Sequence, residues 1–166
     1  MAPRKIIIDT DPGQDDAFAL LFALGAPQEL QVLGVTTVGG NVPLARTTRN
    51  ALQLVELAGR ADVPVFAGCP RPMLKRLQTA EYVHGESGID GCTLPAPSRA
   101  VQAEHAVNWI VRTVMDAPEG EITVCTLGPM TNLGMAMVME PRIFPRLREV
   151  ALIGGGQSPQ PGEVSL

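Results

Sequence analysis

Residues 6–17 read IIIDTDPGQDDA: three isoleucines run directly into a segment with four aspartates in eight positions. A short β-branched run bounded by turn residues suits a strand covered on both faces of a sheet, so residues 5–8 predict a buried strand. Pro12 and Gly13 then turn the chain. Residues 14–24 predict a helix, because Ala17, Leu20, Leu21 and Leu24 recur on one face at helical spacing and Gly25 stands near its end. Strand, tight turn and amphipathic helix in immediate succession form the opening unit of an α/β fold.

The alternation continues outward from this unit. Residues 30–38 are strand-like, 44–58 are helical with Leu52, Val55 and Leu57 among the apolar positions, and 63–66 form a short strand. A helical pattern resumes over 101–115, followed by a strand over 122–126, a helix over 130–139 and a strand over 149–153. Parallel neighbours need a long connection and a helix supplies it, so this order predicts an open, mainly parallel, Rossmann-like sheet with flanking helices. Between the halves, residues 68–98 are rich in Gly and Pro and show no sustained period. Such a segment inside a compact domain is usually functional or mobile.

With 166 residues, 45% hydrophobic and 18% charged, the chain reads as one globular α/β domain over 1–166. A formal charge of −4 with scattered Lys and Arg speaks against a nucleic-acid surface or a polybasic membrane patch, and a small-molecule partner is expected instead. The apolar runs fall short of a membrane span, and MAPRKIII enters its strand without the features of a signal peptide, so a cytoplasmic location is expected. The three cysteines lack CxxC spacing, which suggests neither a disulfide framework nor a zinc site. Cys125, inside ITVCTL, is expected to be a buried structural thiol.

In open α/β sheets ligands bind at the carboxyl ends of the strands. DTDPGQDD at 9–16, TVGGN at 37–41, TLGPMTN at 126–132 and IGGG at 153–156 each follow a predicted strand, which puts all four on one rim. Each alone fits a tight turn; together they point to a site. Asp9 and Asp11, two apart in extended backbone, point to the same side. Asp15 and Asp16 fall in the first helical turn, where the macrodipole favours carboxylates. Anions so crowded repel strongly, and a bound cation resolves the conflict. Oxygen donors without local His or Cys indicate calcium or magnesium rather than zinc. Helix capping or simple exposure accounts for one or two of these aspartates, not readily for four.

DTDPGQDDA resembles the amino-terminal signature of the inosine and uridine preferring nucleoside hydrolases, calcium-dependent enzymes that split the N-glycosidic bond of ribonucleosides. Further similarities follow in order: TTVGGN at 36–41, VHGESGIDG at 83–91, TLGPMTNL at 126–133, EPRI at 140–143 and ALIGGG at 151–156. The resemblance implies that Asp11 and Asp16 are Ca2+ ligands, with Leu127 a further ligand through its backbone carbonyl. It implies Asp15 as general base on the attacking water and Asn41 as a hydrogen-bonding partner of the ribose hydroxyls. Ile153 would line the sugar pocket, His84 would lie in a loop approaching the bound nucleoside, and Asp9 would support the ligands from behind. A ribonucleoside substrate and a homo-oligomer are also expected.

Full-length members of that family are longer, with a later EFN-type segment, a further aspartate on the calcium and often a histidine near the leaving base. Here IGGG is followed by QSPQPGEVSL, and Glu163 has flanks that do not match. The expectation is therefore an amino-terminal portion of the hydrolase fold, lacking the family's carboxyl-terminal part, with incomplete metal coordination and weak or no activity alone. Another copy or a complementing chain would cover the exposed sheet edge. Two alternatives stand beside this reading. IIIDTD also resembles the haloacid dehalogenase-like phosphatases, with Asp9 as nucleophile, Asp11 as acid and magnesium as cofactor, although Gly13 replaces their usual Thr or Val. A non-catalytic metal- or nucleoside-binding module is the other.

Overall fold

Ile6, Ile7 and Ile8 are all buried because the strand that carries them is central. In the computed structural model, which describes residues 2–153, the elements run β1 (Arg4–Thr10), α1 (Gln14–Leu24), β2 (Leu30–Thr37), α2 (Leu44–Leu57) and β3 (Val65–Ala67). There follow α3 (Glu81–His84), α4 (Ala106–Asp116), β4 (Ile122–Thr126), α5 (Thr131–Met139), α6 (Ile143–Arg146) and β5 (Glu149–Leu152). The strands pair in parallel in the order β3-β2-β1-β4-β5. The chain thus begins in the middle, builds outward through β2 and β3, then crosses to the other side of β1. That reversal makes the carboxyl ends of β1 and β4 the switch point, where such sheets open a crevice.

Side chains alternate along β1, so consecutive isoleucines serve different cores. Ile6 and Ile8 pack with Leu20, Leu24, Leu54 and Val55 from α1 and α2, whereas Ile7 packs with Trp109, Ile110, Val124 and Leu133 on the other face. Each such residue, fully buried, contributes about 1.5–3 kcal/mol. The second core requires Gly34 in β2. A Cβ there would lie 2.7 Å from the Trp109 ring, which stacks on Phe66 at a centroid separation of 4.3 Å.

The expected fold class is the observed one, and the differences lie at element ends. The helix read over 101–115 starts at Ala106, because His105 caps it and its Nδ1 accepts from the Val107 N–H at 3.2 Å. Gln102, inside the expected helix, instead forms a bridge with Phe66. The single-turn helices α3 and α6 were not anticipated, since four residues carry no periodicity to read. The irregular segment is pinned to α2 by buried amides. Asn50 donates to the Ser87 carbonyl at 2.8 Å, and Gln53 donates to the carbonyls of Leu94 and Pro95 at 3.1 and 2.6 Å.

Cys125 is partly rather than fully buried, and burial raises its thiol pKa. Among the described residues β5 is an edge strand, and its Glu149, Ala151 and Leu152 are exposed. Among the described residues no helix is long and apolar enough to cross a membrane. The glycines of IGGG and everything after them, Glu163 included, lie outside the described residues.

Candidate functional site

Two short linkers leave the carboxyl ends of β1 and β4 and face each other. Register fixes their level, because Asp9 pairs with Thr36 of β2 on one side and with Thr126 of β4 on the other. The Leu127 N–H then donates to the Asp9 carbonyl at 2.8 Å, extending the ladder by one bond. Asp11 follows and enters a slot between two glycines. A Cβ on Gly40 would lie 1.9 Å from Asp11 Oδ2, and one on Gly128 2.1 Å from Asp11 Oδ1. Only residues without a side chain let the loops after β2 and β4 close on this carboxylate.

Asp16 reaches the same place from the first turn of α1. Its carboxylate accepts from Thr10 Oγ1 at 2.7 Å and from the Gly13 N–H at 3.1 Å, which caps the helix. Asn41 joins the two aspartates. Its backbone N–H donates to Asp11 Oδ2 at 2.7 Å, while its Nδ2 donates to the Asp11 carbonyl at 3.1 Å and to Asp16 Oδ2 at 3.3 Å. Asp9 lies beneath, fully buried, its Oδ1 accepting from Thr36 Oγ1 at 2.5 Å and from Asn132 Nδ2 at 2.8 Å. Asp9 Oδ2 and Thr126 Oγ1 are buried without a hydrogen-bond partner among the described residues.

Burial and crowding make these carboxyls hard to ionise. Loss of solvent pushes the pKa of Asp9 up to about 6, against the opposing hydrogen bonds from Thr36 and Asn132. Burial, followed by the charge of Asp16, pushes Asp11 up to about 8. Burial also raises Asp16, while the bonds from Thr10 and Gly13 oppose it. An external positive charge would let all three ionise together.

The donor set suits a hard cation. Asp11 and Asp16 offer carboxylate oxygens, and the Leu127 carbonyl accepts no hydrogen bond among the described residues. All are oxygens, as calcium and magnesium prefer. Among the described residues no group of three or more His, Cys, Asp or Glu side chains is placed to hold a metal ion.

The other expected site residues are placed as follows. Asp15 is exposed on α1. His84, at the end of α3, is brought against the turn: its ring would meet a Cβ on Gly13 at 2.8 Å, and its Nδ1 hydrogen-bonds Gln14 Oε1. Ile153 is on the same rim, its N–H donating to the Thr126 carbonyl at 3.1 Å, and is 66% exposed. Thr10, Thr36 and Asn132 were not singled out from the sequence. TLGPMTN reads as a rim cluster, but nothing local in the sequence shows that its last residue reaches Asp9.

The inosine-uridine preferring nucleoside hydrolase family is matched over residues 6–165. An uncharacterized protein of Schizosaccharomyces pombe is 50% identical over 154 residues, covering 93% of this chain and 49% of that one. The inosine-uridine preferring nucleoside hydrolase of Crithidia fasciculata is 46% identical over 155 residues, with the same coverage of 93% and 49%. A plant nucleoside hydrolase structure superposes with a TM-score of 0.84 at 40% identity, covering 93% of this chain and 48% of the other. The chain thus spans about half the length of the curated relatives it matches.

Proposed function

The chain belongs to the inosine-uridine preferring nucleoside hydrolase family, and from that premise we propose that it serves the hydrolysis of ribonucleosides to free base and ribose, with calcium at the Asp11–Asp16 crevice. The observation that carries this reading is the slot itself: the buried Asp11 carboxylate, closed in by Gly40 and Gly128, with the buried Asp16 carboxylate joined to it through Asn41 and with the Leu127 carbonyl accepting no hydrogen bond among the described residues. The phosphatase alternative loses its ground to a family match that takes in the later motifs as well.

A calcium ion held there would orient the ribose diol and the attacking water and acidify that water. The remaining work falls to the chain's own groups. Asp11, Asp16 and the Leu127 carbonyl would hold the cation. Asn41 braces both carboxylates and hydrogen-bonds the ribose; His84 and Ile153 flank the nucleoside. In the reaction the water oxygen bonds to the anomeric carbon as the C–N bond breaks, and the electron pair leaves with the base. The water's proton passes to a carboxylate, and the departing base takes up another.

Asp15 is the proton acceptor that the family resemblance implies. If Asp15→Asn keeps calcium binding but loses release of ribose by about 100-fold or more, Asp15 is the base. If that variant retains most activity, Asp15 is not the base.

The test of the whole reading is release of reducing sugar from inosine and uridine by the 166-residue chain, with calcium and with a chelator. Calcium-dependent release, lost in Asp16→Asn, supports it. Calorimetric binding of calcium and nucleoside without release indicates a binding module. The absence of both binding and release overturns the proposal.

A further inference from the structure

Asn132 is fully buried in the first turn of α5, and its amide gathers the ends of three strands. Nδ2 donates to Asp9 Oδ1 of β1 at 2.8 Å and to the Thr37 carbonyl of β2 at 3.0 Å. Oδ1 accepts from the N–H of Cys69, just beyond β3, at 2.8 Å. Both amide hydrogens and the carbonyl are thereby used. Gly68 makes room, since a Cβ there would come within 2.2 Å of Asn132 Oδ1.

The linker between β4 and α5 carries the Gly128 backbone that meets Asp11 and, just before it, the Leu127 carbonyl. It is tied at both ends to the same residue. At one end the Leu127 N–H bonds to the Asp9 carbonyl; at the other, Asn132 bonds to the Asp9 carboxylate. Asp9 is in turn two residues from Asp11 on one strand. A linker of four residues fixed at both ends has little freedom to drift from the carboxylate it faces.

We infer that Asn132 is a positioning residue for the cation site: through Asp9 it sets where the Leu127 carbonyl and Gly128 stand relative to Asp11. This rests on the reading of the Asp11–Asp16 crevice as the cation site. Groups that orient metal ligands without touching the metal typically change affinity by about 10–100-fold when removed. An apolar side chain of similar volume would fill the space but leave the Cys69 N–H unpaired and Asp9 Oδ1 with Thr36 alone.

The test compares the full chain with Asn132→Ala and with Ala136→Gly, which loosens the same helix at a buried position away from Asp9. Calcium affinity is measured by calorimetry, and amide exchange is followed at Cys69 and Leu127 without metal. Asn132→Ala is expected to weaken calcium binding by about 10-fold or more and to speed exchange at both amides. Ala136→Gly should lower the melting temperature but hold affinity within about twofold. Asn132→Ser, too short to span Asp9 and Cys69, gives the same comparison where the alanine variant does not fold. Equal affinity loss in Asn132→Ala and Ala136→Gly, or unchanged exchange at Leu127 and Cys69, overturns the inference. If the unmodified chain binds no calcium, the cation reading fails, and positioning of the site fails with it.

Discussion

In the absence of metal, raising the pH from about 5 to about 8 should destabilise the protein, and Asp11→Asn should remove most of that loss. Burial, helped by the charge of Asp16, raises the Asp11 carboxyl from 3.8 to about 8. Below the lower value both native and unfolded chains hold the proton, and there is no penalty. Above it the unfolded chain releases the proton while the native one keeps it, so stability falls with pH until about 8 is passed. Each pH unit inside that interval is worth about 1.4 kcal/mol. The span from about pH 5 to about pH 8 therefore amounts to on the order of 4 kcal/mol, a large share of the roughly 5–15 kcal/mol that holds a domain together. Asp11 is only 4% exposed, so solvent screens little of this. Asp9, raised to about 6 by burial, adds in the same direction over the acid half of the range.

The assay is urea unfolding followed through Trp109, the single tryptophan, which is buried and stacked on Phe66. Relative to the unmodified chain, Asp11→Asn should gain on the order of 4 kcal/mol between about pH 5 and about pH 8. Calcium at about 100 times its dissociation constant should restore about 2.7 kcal/mol to the unmodified chain and little to the variant. A metal-free stability that is flat or rises over this range would refute the reasoning, as would an Asp11→Asn variant that gains nothing on its parent over the same range.

Three further outcomes follow from the same geometry. Gly128→Ala places a Cβ 2.1 Å from Asp11 Oδ1 and 3.1 Å from its backbone nitrogen. It should cost about 1–3 kcal/mol in urea unfolding and lower calcium affinity about tenfold or more by calorimetry. Gly34→Ala drives a Cβ to 2.7 Å from Trp109; a similar loss of about 1–3 kcal/mol with a shifted emission maximum is expected, and calcium affinity should stay put. His84→Ala removes a ring from the Gly13–Gln14 turn without emptying a core. Nucleoside affinity should weaken while stability changes by less than about 0.5 kcal/mol.

Much of this was legible along the chain. The opening βα unit reads directly, because β-branched residues, a Pro-Gly turn and apolar spacing act over a few residues, and the observed α1 has the expected bounds. The aspartates were visible as a conflict of charge. The start of α4 differs because Ala103 continues the helical spacing of Ala106, Val107 and Ile110, while the His105 cap begins the helix only later. Asn132 was missed as a partner of Asp9 because 123 positions separate them. The tightness of Gly40 and Gly128 around Asp11 was likewise invisible, since Gly-rich turns look alike whether or not a carboxylate fills them.

By itself the sequence determined that carboxylates crowd the end of a buried strand, that strands and helices alternate into a parallel sheet, and which family the motifs resemble. Those properties depend on neighbours along the chain. Only the tertiary structure decided that Asp9, Asp11 and Asp16 are buried while Asp15 is exposed, and that β4 lies beside β1 to bring Gly128 and Asn132 to them. Desolvation and repulsion depend on distance through space, and that distance exists only once β4 has crossed the sheet.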